Sequence, residues 1–162
     1  AYQQIDETIS SLTNAGITLR SLWVQVTSPV NWNNNQATNL AFVNSAIQRI
    51  RSRGIRPGVY TNTYDWQQIT NAGSNLGTDV MLWYWNVYGQ GQSGESPANF
   101  LDFRPFGNWQ AAAVKQYGQN EFICSLTVNR DAYPVSSIKA NDGLIETLLK
   151  KDGKIIAGGI GL

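Results

Sequence analysis

The stretch "SLWVQVTSP", Ser21 to Pro29, decides how the chain is read. Leu22, Trp23, Val24 and Val26 give it the aromatic and β-branched bulk of a buried strand, and Ser28 with Pro29 ends the run in a loop. Upstream, Tyr2, Ile5, Ile9 and Leu12 fall at alternating steps of three and four, the spacing of one helix face. "NAGI" stops that helix, and Gly16 suits the left-handed position just past its end. The local grammar is therefore helix, glycine, strand.

Downstream the same order recurs. Leu40, Val43, Ile47 and Ile50 share a helix face, Gly54 in "SRGI" closes it, and "RPGVYTNTYDW" is the next strand with its loop. A weaker copy joins a short helix in "DWQQITNAG" to the β-prone run "DVMLWYWNV", Asp79 to Val87. A fourth is expected from "SPANFLDF", where Ser96 would cap and Pro97 open a helix before the strand "AAAVKQYG". "SLTVNRDAY" then reads as one more strand and "GLIETLLKK" as a terminal helix. Strands alternating with helices argue for parallel βα units, and strands apolar throughout argue for a sheet covered on both faces or rolled into a barrel.

Composition narrows the chemistry. A chain of 162 residues, 42% of them hydrophobic, is one domain's worth with a real core. A formal charge of +1 steers it toward neither nucleic acid nor an acidic membrane surface, and no apolar run approaches the roughly 20 residues that cross a bilayer. With no histidine and a single cysteine, Cys124, neither a Ser-His-Asp triad nor a Cys-His pair can be built, and the usual zinc and copper ligand sets are absent. Plentiful Asn, Gln, Ser, Thr, Trp and Tyr suit neutral, hydroxyl-rich ligands such as sugars.

In parallel βα folds function gathers at the carboxyl ends of the strands. Those ends read "QVTSP", "YTNTYDW", "WNVYG", "KQYGQ" and "VNRDAY", each polar or aromatic. Cleaving a glycosidic bond takes two carboxyls, one protonated and one ionised. The candidates are Asp65, Glu95 and Asp131, each with a structural alternative: Asp65 capping the following helix, Glu95 decorating its loop, Asp131 pairing with Arg130 or folding an Asx turn. In "LWYWNVY", Trp83 and Trp85 share one face and Leu82, Tyr84 and Asn86 the other, which leaves Trp85 and Tyr88 best placed to stack on a sugar. Gly89, Gly91 and Gly94 spell a formal Gly-x-Gly-x-x-Gly, but Glu95 would face the pyrophosphate, so a flexible loop rimming a groove is expected instead. The cluster Arg49, Arg51, Arg53 and Arg56 reads as cations at a helix end rather than a phosphate patch.

"LWVQVTSPVNW", "GVYTNTYDWQQIT", "DVMLWYWNVYGQGQSGESPANFLDFRPFG" and "VKQYGQNEFICSLTVNRDAY" together resemble the invertebrate branch of the glycoside hydrolase family 25 lysozymes, from Tyr2 to Tyr133. The resemblance implies an α/β fold of the irregular βα-barrel type, secretion, a bacterial cell-wall glycan (peptidoglycan) as partner, a part in antibacterial innate defence, and no cofactor. Where the family pattern carries Asp-x-Glu, this chain has Trp23 and Gln25; where its last strand carries Asp, this chain has Asn129, with Asp131 two places on. The family's first-strand acid has no counterpart, and the chain begins in the helix before the fourth strand, so a barrel incomplete at its N-terminal side is expected, spanning 1–135, with a C-terminal extension over 136–162. On this reading Asp131, then Glu95, carry any acid–base chemistry, and Gln25, Tyr60, Trp85, Asn86, Tyr88, Gln116 and Tyr117 contact the glycan. The other reading is a non-catalytic glycan-binding immune effector, since an amide at position 25 holds a sugar hydroxyl but transfers no proton.

Overall fold

Helix α1 (Tyr2–Asn14) forms where the three-and-four spacing places it, and the left-handed turn after it is made by Gly16 at φ 78°. It buries Ile5 and is fastened to α2 (Gln36–Ser52) through Asp6, which accepts from Arg49 at 2.9 and 2.5 Å and from Arg53 at 2.9 and 2.7 Å. Those bonds, that of Arg49 foremost, hold the Asp6 carboxyl below the usual range against the opposing effect of burial. Arg51 pairs with Asp79 instead, so Arg49, Arg51 and Arg53 of the basic cluster serve ion pairs within the fold. Along α2 the expected face is buried at Val43, Ile47 and Ile50, Asn35 caps its start by accepting the Thr38 N–H at 3.0 Å, and Gly54 closes its end at φ 73°.

The computed structural model describes residues 1–134; the predicted terminal helix and the whole of the expected 136–162 extension lie outside the described residues. Among the described residues two compact units are present, one of residues 1–82 with 104–111, the other of 83–103 with 112–134. Five strands, β1 (Ser21–Gln25), β2 (Arg56–Thr61), β3 (Met81–Trp85), β4 (Val114–Ile123) and β5 (Leu126–Ala132), run in the order β1-β2-β3-β4-β5. The class is mixed α/β, and the sheet is compatible with a barrel-like fold.

In the first unit β1 and β2 are parallel, with Trp23 opposite Gly58 and Gln25 opposite Tyr60. The Trp23 ring lies directly over Gly58, where any Cβ would overlap it. Gly58→Ala is therefore expected to lower stability by about 1–3 kcal/mol through overpacking, read as a drop in the thermal midpoint; an unchanged midpoint would show the ring free to move aside. Helix α3 (Thr63–Thr70) starts at Asn62, whose Oδ1 accepts the Asp65 N–H at 2.7 Å. Trp66 is fully buried, donates through Nε1 to the Gly73 carbonyl at 2.9 Å and meets Trp109 edge-on at 5.0 Å, so these two aromatics belong to the core.

In the second unit two expectations are corrected. The last strand departs from the parallel arrangement: β5 returns antiparallel to β4, through a turn in which Cys124 and Ser125 both have positive φ, 49° and 64°. Nor does "SPANFLDF" form a helix. The Ser96 hydroxyl donates to the Asn86 carbonyl at 2.6 Å rather than capping, and the Pro97 and Asn99 carbonyls, which a helix would need, accept from Lys115 Nζ at 2.8 and 3.0 Å.

Candidate functional site

Parallel pairing of β3 with β4 and antiparallel pairing of β4 with β5 set Trp85, Gln116 and Asp131 side by side in register. Directly opposite residues share a face, so these three form one row, and Trp83 lies two residues along on the same side of β3. The Trp83 indole N–H donates to Asp131 Oδ1 at 2.8 Å. Gln116 and Asp131 are almost wholly buried, and Trp85 is half-buried. Burial pushes the Asp131 carboxyl up to about 7, with the Trp83 hydrogen bond working against it. Asp131 thus stays protonated to near neutrality, as a group that can donate a proton or a hydrogen bond.

Glu95 does not join it. Arg130 Nη1 donates to Glu95 Oε1, and because Arg130 and Asp131 are consecutive in β5 their side chains leave opposite faces. Arg130 also lies 3.6 Å from Glu121 Oε2 and stacks its guanidinium over Tyr117 at 5.1 Å. Burial first, then the neighbouring Glu95, raises the Glu121 carboxyl. Tyr117 is buried in this cluster and Tyr88 is exposed. Asn86 turns from Trp85 to the other face, where its amide donates to Asp102 Oδ2, while its own N–H reaches the Gln116 carbonyl at 3.1 Å. The residues sequence reasoning missed lie on that face: Lys115, buried completely, donates to Asp102 Oδ1 at 2.9 Å, and Tyr84 OH donates to the same oxygen at 3.0 Å. The available signal was a lysine inside the apolar run "AAAVKQYG", which a buried strand admits only with a partner.

The glycine-rich loop is tied down rather than flexible. Tyr88 N–H donates to the Gly94 carbonyl at 2.8 Å and Gly91 N–H to Gln119 at 2.8 Å, and a Cβ on Gly94 would overlap the Gly89 backbone. Its glycines answer a loop folded on itself, not a phosphate.

In the first unit the structure brings Gln25 and Tyr60 together as cross-strand partners. Gln25 is exposed and donates to Thr27 Oγ1 at 2.9 Å. Asp65, in the first turn of α3, is buried, which raises its carboxyl, while the Ser28 backbone lowers it. Among the described residues no group of three or more His, Cys, Asp or Glu converges to hold a metal, and no helix is long and apolar enough to cross a membrane.

A family model described as Lysozyme-like protein 1 matches residues 1–117. Lysozyme-like protein 7 of Caenorhabditis elegans is 52% identical over 158 residues, 98% of this chain and 53% of that protein. Lysozyme-like protein 2 of the same organism is 51% identical, over 98% of this chain and 56% of that protein. Probable GH family 25 lysozyme 2 of Dictyostelium discoideum is 31% identical over 70% of this chain and 49% of its own length. The chain spans about half the length of the curated relatives it matches. No solved structure matches it.

Proposed function

The chain belongs to the lysozyme-like family of glycoside hydrolase family 25 type, and from that premise we propose that it binds the glycan of bacterial cell walls along the row Trp85, Gln116 and Asp131. The observation that carries this reading is the row itself: an aromatic, an amide and a carboxyl protonated to about 7 stand in register on one face. That set offers a sugar one stacking surface and two uncharged hydrogen-bonding groups. Tyr88, exposed at the end of the same segment, extends the stacking surface. In the first unit, Gln25 and Tyr60, cross-strand partners at the ends of β1 and β2, offer an amide and a phenol of their own to a sugar. The wider proposal is a secreted protein of antibacterial innate defence.

Binding is favoured over turnover because the two carboxyls first proposed for catalysis are not a pair: Glu95 is engaged by Arg130 on the face opposite Asp131. Trp23, at an acid's place in the family pattern, is packed over Gly58. Hydrolysis is the second reading, supported by Asp131, whose protonated carboxyl is a competent general acid near neutral pH. The test is co-sedimentation with purified peptidoglycan alongside an assay for released reducing ends. Binding without release is expected. Release that disappears in Asp131→Asn would establish the second reading, and failure to sediment would overturn both.

A further inference from the structure

Beside the row stands a short chain of amides whose direction is fixed by the backbone. Asn120, at φ 52° in the irregular stretch where the β4–β5 register shifts, directs its backbone N–H at Asn129 Oδ1, 3.1 Å away. A backbone N–H can only donate, so the Asn129 atom that meets it must be the oxygen, and the nitrogen is the other end of that planar group. Asn129 Nδ2 in turn donates to Gln116 Oε1 at 3.3 Å. The Gln116 oxygen therefore faces Asn129, and its Nε2 is the end turned away from it. Gln116 is 2% exposed, so its amide is held in packed surroundings and not averaged by water.

We propose that Asn129 is a positioning residue that fixes the polarity of the Gln116 amide, so that Gln116 meets a bound glycan as a hydrogen-bond donor. The ligand half of this statement rests on the glycan-binding reading above. A donor at Gln116 beside Asp131 selects an uncharged ligand oxygen, a hydroxyl or carbonyl, as the group seated there. An acid at position 129 would reverse the arrangement. As a carboxylate it can donate nothing to Gln116 Oε1, and the amide would turn over to offer its N–H to the new charge.

Asn129→Asp tests this, and since Asn129 is exposed the introduced carboxyl is solvated and the fold is expected to survive. Two readouts are needed: the side-chain amide resonances of Gln116 against pH, and affinity for soluble peptidoglycan glycan strands at pH 4 and pH 7. In N129D the Gln116 resonances should move as the introduced carboxyl titrates. Affinity should fall about tenfold below the unmodified protein at pH 7, the scale of one lost donor, and recover to within about twofold at pH 4, where roughly half of an ordinary aspartate is protonated and can again donate. A merely structural role would give a deficit independent of pH. Gln116 resonances indifferent to N129D, or an affinity ratio equal at the two pH values, would overturn the proposal. Resonances that move in a protein that binds no glycan would leave the polarity assignment standing and overturn the functional reading beneath it.

Discussion

Replacing Lys115 with Met is expected to remove about 3–5 kcal/mol of stability, more than any single change at the row itself. The Lys115 side chain is fully buried, and its ammonium is met by three acceptors, the Pro97 carbonyl at 2.8 Å, the Asn99 carbonyl at 3.0 Å and Asp102 Oδ1 at 2.9 Å. Met fills a similar volume but supplies no donor, so two carbonyls and a carboxylate lose their cation together. Burial alone would raise the Asp102 carboxyl, but the bonds from Asn86, Lys115 and Tyr84 and the Lys115 charge outweigh it and hold it below the usual range. Without the lysine that balance reverses. Urea unfolding of K115M at pH 7 measures the loss; a midpoint within error of the unmodified protein would mean that the ammonium is replaceable by water. Because these contacts hold the segment that failed to become a helix, K115M should also expose 97–103 to proteolysis before the rest of the second unit.

How far the sequence reaches is clear from particular residues. Helices α1 and α2 and the glycines that end them were legible because apolar spacing and left-handed caps are local, each decided within about four residues. Strands β1 to β4 were legible for the same reason. The segment after Ser96 was not, since Ser and Pro are the correct local start for a helix and the competing partner, Lys115, lies 18 residues further on. The hairpin turn at Cys124 and Ser125 carries none of the Asn-Gly or Asp-Gly pairs that announce such turns, so nothing local marks β5 as antiparallel to β4. At the site, the shared face of Trp83 and Trp85 followed from alternation, but the row with Gln116 and Asp131 is a matter of register between strands, which no local pattern encodes. Glu95 illustrates the limit most directly. A loop acid reads as available until its cation is located, and Arg130 is 35 residues away.

Asp131→Asn is expected to make the protein more stable at pH 8 and to leave it unchanged near pH 4. The carboxyl titrates at about 7 in the folded chain and in the ordinary carboxylate range when unfolded, so between those values the folded state holds a proton that the unfolded state has lost. A raised folded value of this kind gives stability that is complete below the unfolded value and is lost as pH rises through 7. The difference of about three pH units corresponds to roughly 4 kcal/mol as an upper figure. Asp6, Asp79 and Asp102 act in the opposite direction, being held low, and lose their contribution only as pH falls toward the acid side. Asn keeps the shape and still accepts the Trp83 N–H through its oxygen, so the variant removes the titration without removing the contact. Urea unfolding of both proteins from pH 4 to pH 9 should give curves that coincide at the acid end and separate by a few kcal/mol above pH 7. Curves that stay parallel throughout would place the Asp131 titration back in the ordinary range and remove the protonated carboxyl from the proposed site. The same proton acts on binding at higher pH: once folded Asp131 ionises it can accept from a glycan hydroxyl but no longer donate to one, so affinity for the wall glycan should hold up to about pH 7 and weaken above it, where the loss of stability is already complete, and D131N should abolish both slopes.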